Sequence, residues 1–271
     1  MEESKVFMFE GDDPSMVAAY ARAQETFRYF WRELSWERRR IVPAFDLVMI
    51  KLPFTDGARD DGAPEYEHMW VSDIEFDGVT LSGVLMNAPN WLTSVKEGGQ
   101  VSVPFSQLED WMIVSDGRAY GAFTVNAMRK QMSGGERKAH DNAWGLDFGD
   151  PEVERIDVRA QPKGKKGLFS GLFGKKEAPE PLAGHQDHPM CLNMVEKYEE
   201  HLRKDGSAIS ELDENGMNLL HTEALAGNLA IVSLLLKYGA DKAVSAENGL
   251  TAVQLAQLLG WEEVAAVIDA H

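Results

Sequence analysis

From residue 213 to the C-terminus the chain repeats itself at an interval of 33 residues: Gly216 with Gly249, Leu225 with Leu258, Gly227 with Gly260, and the apolar pair Ile231 with Val264. A period of that length admits few folds, because so short a unit cannot bury a core alone and must stack on a copy of itself. The spacing therefore predicts paired helices laid side by side within residues 185–271.

The same residue types recur inside each period. Asp213-Glu214-Asn215-Gly216-Met217-Asn218-Leu219-Leu220-His221 is followed by Ala224, Gly227-Asn228, the run Ile231 to Leu236, and Gly239-Ala240-Asp241. This order resembles the ankyrin repeat. In that family a threonine-proline-leucine-histidine turn opens the first helix; here Asn218 and Leu219 replace its first half and Leu220-His221 keeps the second. The second repeat, Asn248-Gly249-Leu250-Thr251-Ala252 through Gly260 and Val264 to Ile268, keeps the threonine, has Ala252 and Gln254 where proline and histidine would stand, and is expected to act as a cap. One period upstream, Gly206 falls on Gly239 and His188 on His221, so Pro189 to Lys204 is expected to be a degenerate first repeat. The resemblance implies an all-α domain that binds protein through its turn tips and concave face, with Glu214, Asn215, Glu247 and Asn248 as candidate contacts. His221 is expected in a structural hydrogen bond rather than as a metal ligand or base.

Residues 1–150 read differently. Asp13-Pro14 starts a helix, with a carboxylate at the N-cap and proline at the first helical position. Met16, Tyr20, Ala23, Phe27, Phe30, Trp31 and Leu34 then form one apolar stripe. A strand follows with Phe45, Leu47 and Met49 on one face and Asp46, Val48 and Ile50 on the other, ending at Pro53. Further strands are expected at Tyr66–Ile74, Val79–Met86, Gln100–Val103, Trp111–Val114 and Arg118–Ala122, with hairpin turns at Asp77-Gly78 and Asp116-Gly117. A helix from Thr124 to Met132 is expected to close the unit before Ser133-Gly134-Gly135. The sum is an α+β domain: a small curved antiparallel sheet covered on one side by the N-terminal helix.

Charge separates the two parts. The whole chain carries a net −17, distributed as −10 over residues 1–150 (15 basic, 25 acidic), +2 over 151–184 (7 basic, 5 acidic) and −9 over 185–271 (5 basic, 14 acidic). An excess of acid repels a phosphate backbone, which argues against nucleic acid as the main partner and favours a basic one. The segment 151–184 alternates glycine, lysine and proline and is expected to be a linker. Its Leu168-Phe169 and Leu172-Phe173 pairs, flanked by lysines over 167–176, are the one candidate for contact with an anionic membrane. The single cysteine, Cys191, allows no internal disulfide, and the acidic start Met1-Glu2-Glu3 lacks a secretory signal. No stretch is apolar for the 18 or so residues of a spanning helix. These features place the expected location in the cytoplasm.

For chemistry the sequence offers little. His68 with Asp73, Glu109 or Asp110 could form a base with an orienting carboxylate. No phosphate-binding glycine loop, zinc-protease histidine pair or serine elbow is present, and no cofactor or metal is expected. Trp70 and Trp111 are expected in the core, and Trp91, after Pro89-Asn90, at the surface as a partner contact together with His68, Glu109 and Asp110. Glu67-His68-Met69-Trp70-Val71, Asn87-Ala88-Pro89, Gly98 to Phe105 and Asp110-Trp111-Met112 resemble, in that order over residues 13–130, the bacterial YegJ-like domain of unknown function. That resemblance implies kinship with small immunity proteins of toxin systems. The expected function is a non-catalytic bacterial protein-binding protein, in particular an immunity protein that neutralises a cognate, basic toxin. The alternatives are a regulatory or stress-related adaptor with an ankyrin module, and an enzyme centred on His68.

Overall fold

A computed structural model describes residues 13–58, 64–159 and 185–271. Contacts group them into two compact units: Phe45–Ile74 and Ser82–Arg155 with the chain up to Thr26, and Phe27–Ala44, Glu75–Leu81 and Ile156–His271. This grouping differs from a division near residue 150, because it falls within the first helix and sets aside one hairpin tip.

Helix α1 (Pro14–Glu37) starts where the Asp-Pro pair places it. The Asp13 carboxylate accepts from the Ser15 amide at 2.7 Å, satisfying an end N–H that the helix leaves unpaired. In the first unit α1 contributes Met16, Ala19 and Ala23, all buried. The sheet consists of β1 (Leu47–Phe54), β2 (Glu67–Phe76), β3 (Thr80–Leu85), β4 (Gln100–Pro104), β5 (Asp110–Ser115) and β6 (Arg118–Gly121), in the order β4-β3-β2-β1-β5-β6. β1 pairs antiparallel with β2, Ile50 opposite Val71, and with β5, Met49 opposite Met112. The β5–β6 turn has Asp116 at φ 50° and Gly117 at φ 69°, both left-handed, as a tight hairpin requires.

Four sequence expectations need correction. β1 continues through Pro53 to Phe54: Lys51 O accepts from Glu109 N, so by alternation the Pro53 nitrogen points to the same side, where β5 has already ended and no ladder bond is lost. The sheet is covered on both faces. Trp111 donates to Thr26 of α1 at 3.0 Å on one side, while Met49, Met112 and Val114 pack with Val125 of α2 (Phe123–Gln131) and with Phe148 on the other. Ser133-Gly134-Gly135 opens a further helix, α3 (Gly134–Trp144), because Ser133 and Glu136 form a reciprocal capping box that overrides the two glycines. Residues 151–155, expected in the linker, stay with this unit, since Gly121 N donates to Arg155 O at 2.7 Å.

The second unit is a helical region: α4 (Pro189–Lys204), α5 (Leu219–Leu225), α6 (Leu229–Lys237), α7 (Ala252–Leu258) and α8 (Glu262–Ala270). α5 and α7 begin 33 residues apart, as do α6 and α8, so the sequence period is the period of the helices. α5 packs on α7, α6 on α8, and α4 on α6, burying Leu220, Ala224, Ile231, Leu235, Leu255, Val264 and Ile268. Pro189 to Lys204 is one continuous helix rather than a helix pair, and it occupies the place of a second helix. His188 therefore does not reproduce His221: its Nδ1 accepts from the Met190 amide and caps α4. His221 is fully buried, bonded to Asn218 in a reciprocal cap and to Val244 O at 3.0 Å. Around Phe76 this unit also gathers Phe27 and Trp31, whose rings meet it edge-on.

Candidate functional site

In the first unit the structure joins His68 to Glu109. His68 faces outward from β2, and its Nδ1 lies 2.8 Å from both carboxylate oxygens of Glu109, which is held just before β5 by Glu109 N donating to Lys51 O. The imidazole is partly exposed and the carboxylate nearly buried. Tyr20 of α1 lies close enough for burial, and then Glu109 and Asp110, to push its phenol up to about 12. Asp73, another of the carboxylates expected near His68, sits five residues along β2 at φ 50°, about 16 Å away at strand rise.

Asp110 is not the partner contact expected of it. Asp110 is fully buried: its oxygens accept from the amides of Trp111 at 2.9 Å, Phe123 at 2.9 Å and Thr124 at 2.8 Å, and from the Thr124 hydroxyl at 2.6 Å. It caps α2 from a neighbouring strand, because the residue at the N-cap, Ala122, has no side chain to do so. Burial pushes its carboxyl up to about 6 against the pull of the Thr124 and Phe123 donors. Trp91 is half-buried in a loop that the buried Glu67 pins by accepting from Asn90 N at 2.7 Å and Asn90 Nδ2 at 2.6 Å. Trp111 is fully buried, and Trp70 is half-buried against the Met49 cluster.

In the second unit Glu214, Asn215, Glu247 and Asn248 are all exposed at the tips of equivalent turns. The tips are tied to each other, since Glu247 N donates to Asn215 O at 2.9 Å. Asn248 is already engaged, its Nδ2 donating to Asp77 O at 2.7 Å and its Oδ1 accepting from Leu250 N. A groove of about 570 Å³ opens between α4 and α5, walled by Met194, Tyr198, Leu202, Leu212, Met217 and Leu219, with Glu211 and Asp213 beside it. It lies in front of α5, where α4 supplies no inner helix.

Sequence reasoning missed a buried polar network in this unit. Glu223, with no exposed surface, accepts from Arg39 at 2.9 Å, Tyr198 at 3.2 Å and Asn228 at 2.6 Å, and Glu33 lies 3.2 Å from both His188 and Arg159. Only the acidic residues in otherwise apolar helix stripes signalled it. The Leu-Phe pairs of 167–176 lie outside the described residues. Among the described residues no cluster of three or more His, Cys, Asp or Glu is placed to hold a metal ion, and no helix is long and apolar enough to cross a membrane.

Comparison with known proteins gives three matches. Residues 13–148 match the family described as an uncharacterized protein conserved in bacteria, DUF2314. A Neisseria meningitidis serogroup B protein, provisionally named an ankyrin repeat protein, is 42% identical over 269 residues, covering 99% of this chain and 98% of its own. The Escherichia coli K12 protein YegJ is 28% identical over 83 residues, 31% of this chain and 50% of its own.

Proposed function

The chain belongs to the bacterial DUF2314 family, and from that premise we propose that it is a non-catalytic protein-binding protein of the cytoplasm whose residues 185–271 act as an ankyrin-type stack. The observation that carries this reading is the pair of exposed, mutually bonded turn tips at Glu214-Asn215 and Glu247-Asn248, repeated with the helices at one interval. Stacked repeats of this kind present an extended surface rather than a closed pocket. The name of the meningococcal relative, which spans nearly the whole chain, supports the same use.

The partner we favour is a basic toxin, neutralised by direct binding. Net charges of −10 and −9 on the two ends would steer such a protein into contact, with an on-rate that falls as salt rises. The test is whether a neighbouring gene encodes a secreted effector: co-expression with such an effector is expected to relieve its toxicity, and the double variant Glu214→Lys, Glu247→Lys to lose that relief. Full toxicity in the presence of the wild-type protein would sink the immunity reading, while retained protection by the double variant would remove the tips from it.

One observation favours a second reading. His68 held by Glu109 at 2.8 Å has the geometry of a base with an orienting acid. The His68→Ala protein retaining every phenotype of the wild type is the result expected of the binding function, and a lost phenotype with retained fold would favour the enzyme.

A further inference from the structure

Two arginines of the second unit stand in a position that a strongly acidic chain has no evident reason to leave as it is. Arg28 and Arg32, one turn apart on α1, bring both guanidinium groups over the same rings: Arg28 Cζ lies 4.9 Å from the Tyr29 centroid and 5.5 Å from that of Trp261, and Arg32 Cζ 5.5 and 5.3 Å from them. Like charges at this spacing repel. The protein has 44 acidic side chains against 27 basic ones. Yet among the described residues neither arginine forms an ion pair. Arg28 donates to Gly260 O at 2.7 Å and to the Tyr29 hydroxyl at 3.1 Å, and Arg32 to Gln186 O at 2.9 Å.

Arg32 is only 2% exposed, and the Nε of each arginine, together with Nδ1 of His185, is buried without a hydrogen-bond partner among the described residues. Glu33, the acidic neighbour of Arg32 on α1, is already bridged to Arg159 and His188. Arg28, Arg32 and His185 line one polar cavity of about 240 Å³ together with Trp261, Glu262 and Glu263. α8 opens there with no side chain capping its first amides, which adds its positive end. A buried guanidinium with an unused donor is costly unless a negative group completes it.

We propose that this cavity binds a small oxyanion, the carboxylate or phosphate of a low-molecular-weight ligand, clamped by the forks of Arg28 and Arg32 against the Trp261 side of the pocket. Guanidinium groups match both anions with paired N–H donors. The Glu262 carboxylate at the exposed rim and the cavity volume restrict the ligand to a small one. The Glu263 carboxylate is taken by the His185 amide at 3.1 Å.

The test is calorimetric titration of the full-length protein with inorganic phosphate and, separately, with succinate, each at ionic strength matched with chloride. Saturable binding at one equivalent is expected for at least one of them, and the stronger arm names the source of the anion. Arg32→Gln is expected to weaken it tenfold or more. Arg28→Lys, at a half-buried position where the charge is kept but the fork lost, is expected to do the same, and it decides the matter should Arg32→Gln fail to fold. Lys138→Gln, on exposed α3, should leave binding unchanged. No saturable heat with either anion, or equal binding by wild type and Arg28→Lys, overturns the proposal.

Discussion

Trp36 donates its indole N–H to the side-chain oxygen of Asn228 at 2.9 Å, and neither residue has any exposed surface. Asn228 passes the bond on to Glu223, whose other oxygen is held by Arg39 and Tyr198. A charge of this kind is tolerated inside a protein because each of its oxygens is met by a donor. Burial raises the Tyr198 phenol to about 12, with Glu223 adding to the effect, and the same carboxylate keeps Arg39 above its ordinary value although burial acts the other way.

Glu223→Ala leaves Arg39 without its carboxylate partner and the Asn228 side-chain N–H without its acceptor. The expected loss is about 3 kcal/mol, as for other buried pairs deprived of one member. Trp36→Phe removes a single donor and should cost about 1–2 kcal/mol. Urea unfolding monitored by circular dichroism checks both. Losses below about 0.5 kcal/mol for each would show that the network contributes nothing measurable.

Asp110 sets the second expectation. Its carboxyl is pushed up to about 6 in the folded protein from an ordinary 3.8, so the folded state holds the proton more tightly than the unfolded chain. The stability from this group is therefore fully present below about pH 4 and is lost as the pH rises to about 6. Asp110→Asn cannot titrate, and in either orientation its N–H₂ faces a donor, the Trp111 and Phe123 amides on one side or the Thr124 amide on the other, so it should be less stable throughout. The wild-type advantage over this variant is expected to shrink from pH 4 to pH 6 and then level off. A difference that grows over that interval would reverse the sign of the argument.

The elements whose cause is local were legible in the sequence. Asp77-Gly78 and Asp116-Gly117 marked their hairpins, Asp13-Pro14 the start of α1, and the 33-residue interval the spacing of α5 to α8. What escaped was set by partners distant in sequence. Asp110 acquires its role only because Thr124 lies 14 residues on, and Glu67 because Asn90 lies 23 residues on. α1 reads as a single stripe, yet its residues from Phe27 onward gather with a different unit from those before. The capping box at Ser133 was readable, but two glycines at its first positions masked it.

Gly227 and Gly249 both take left-handed backbone, φ 71° and 81°, but only the first is crowded. A Cβ at Gly227 would enter the Trp261 ring, whereas at Gly249 it would meet open space. Gly249→Ala should therefore cost about 1 kcal/mol, the backbone strain alone. Gly227→Ala adds displacement of a ring packed between the helices and should cost about 3 kcal/mol or more. Thermal unfolding of the two variants side by side separates strain from overlap, and equal losses would show that Trp261 moves aside freely.

Cys191 offers a probe of the second unit that needs no partner. It is the chain's one cysteine and is fully buried on α4, where burial, and then Asp187, pushes its thiol up to about 12. A thiol so placed is neither ionised nor accessible, and only local opening can expose it to a disulfide reagent. The native protein is expected to resist labelling at neutral pH and to react completely in concentrated urea. Since labelling follows the population of the open form, Glu223→Ala, with its expected loss of about 3 kcal/mol, should speed the reaction by on the order of 100-fold if the network and α4 open together. An unchanged rate in a destabilised variant would mean instead that α4 opens by itself, leaving the network around Glu223 intact.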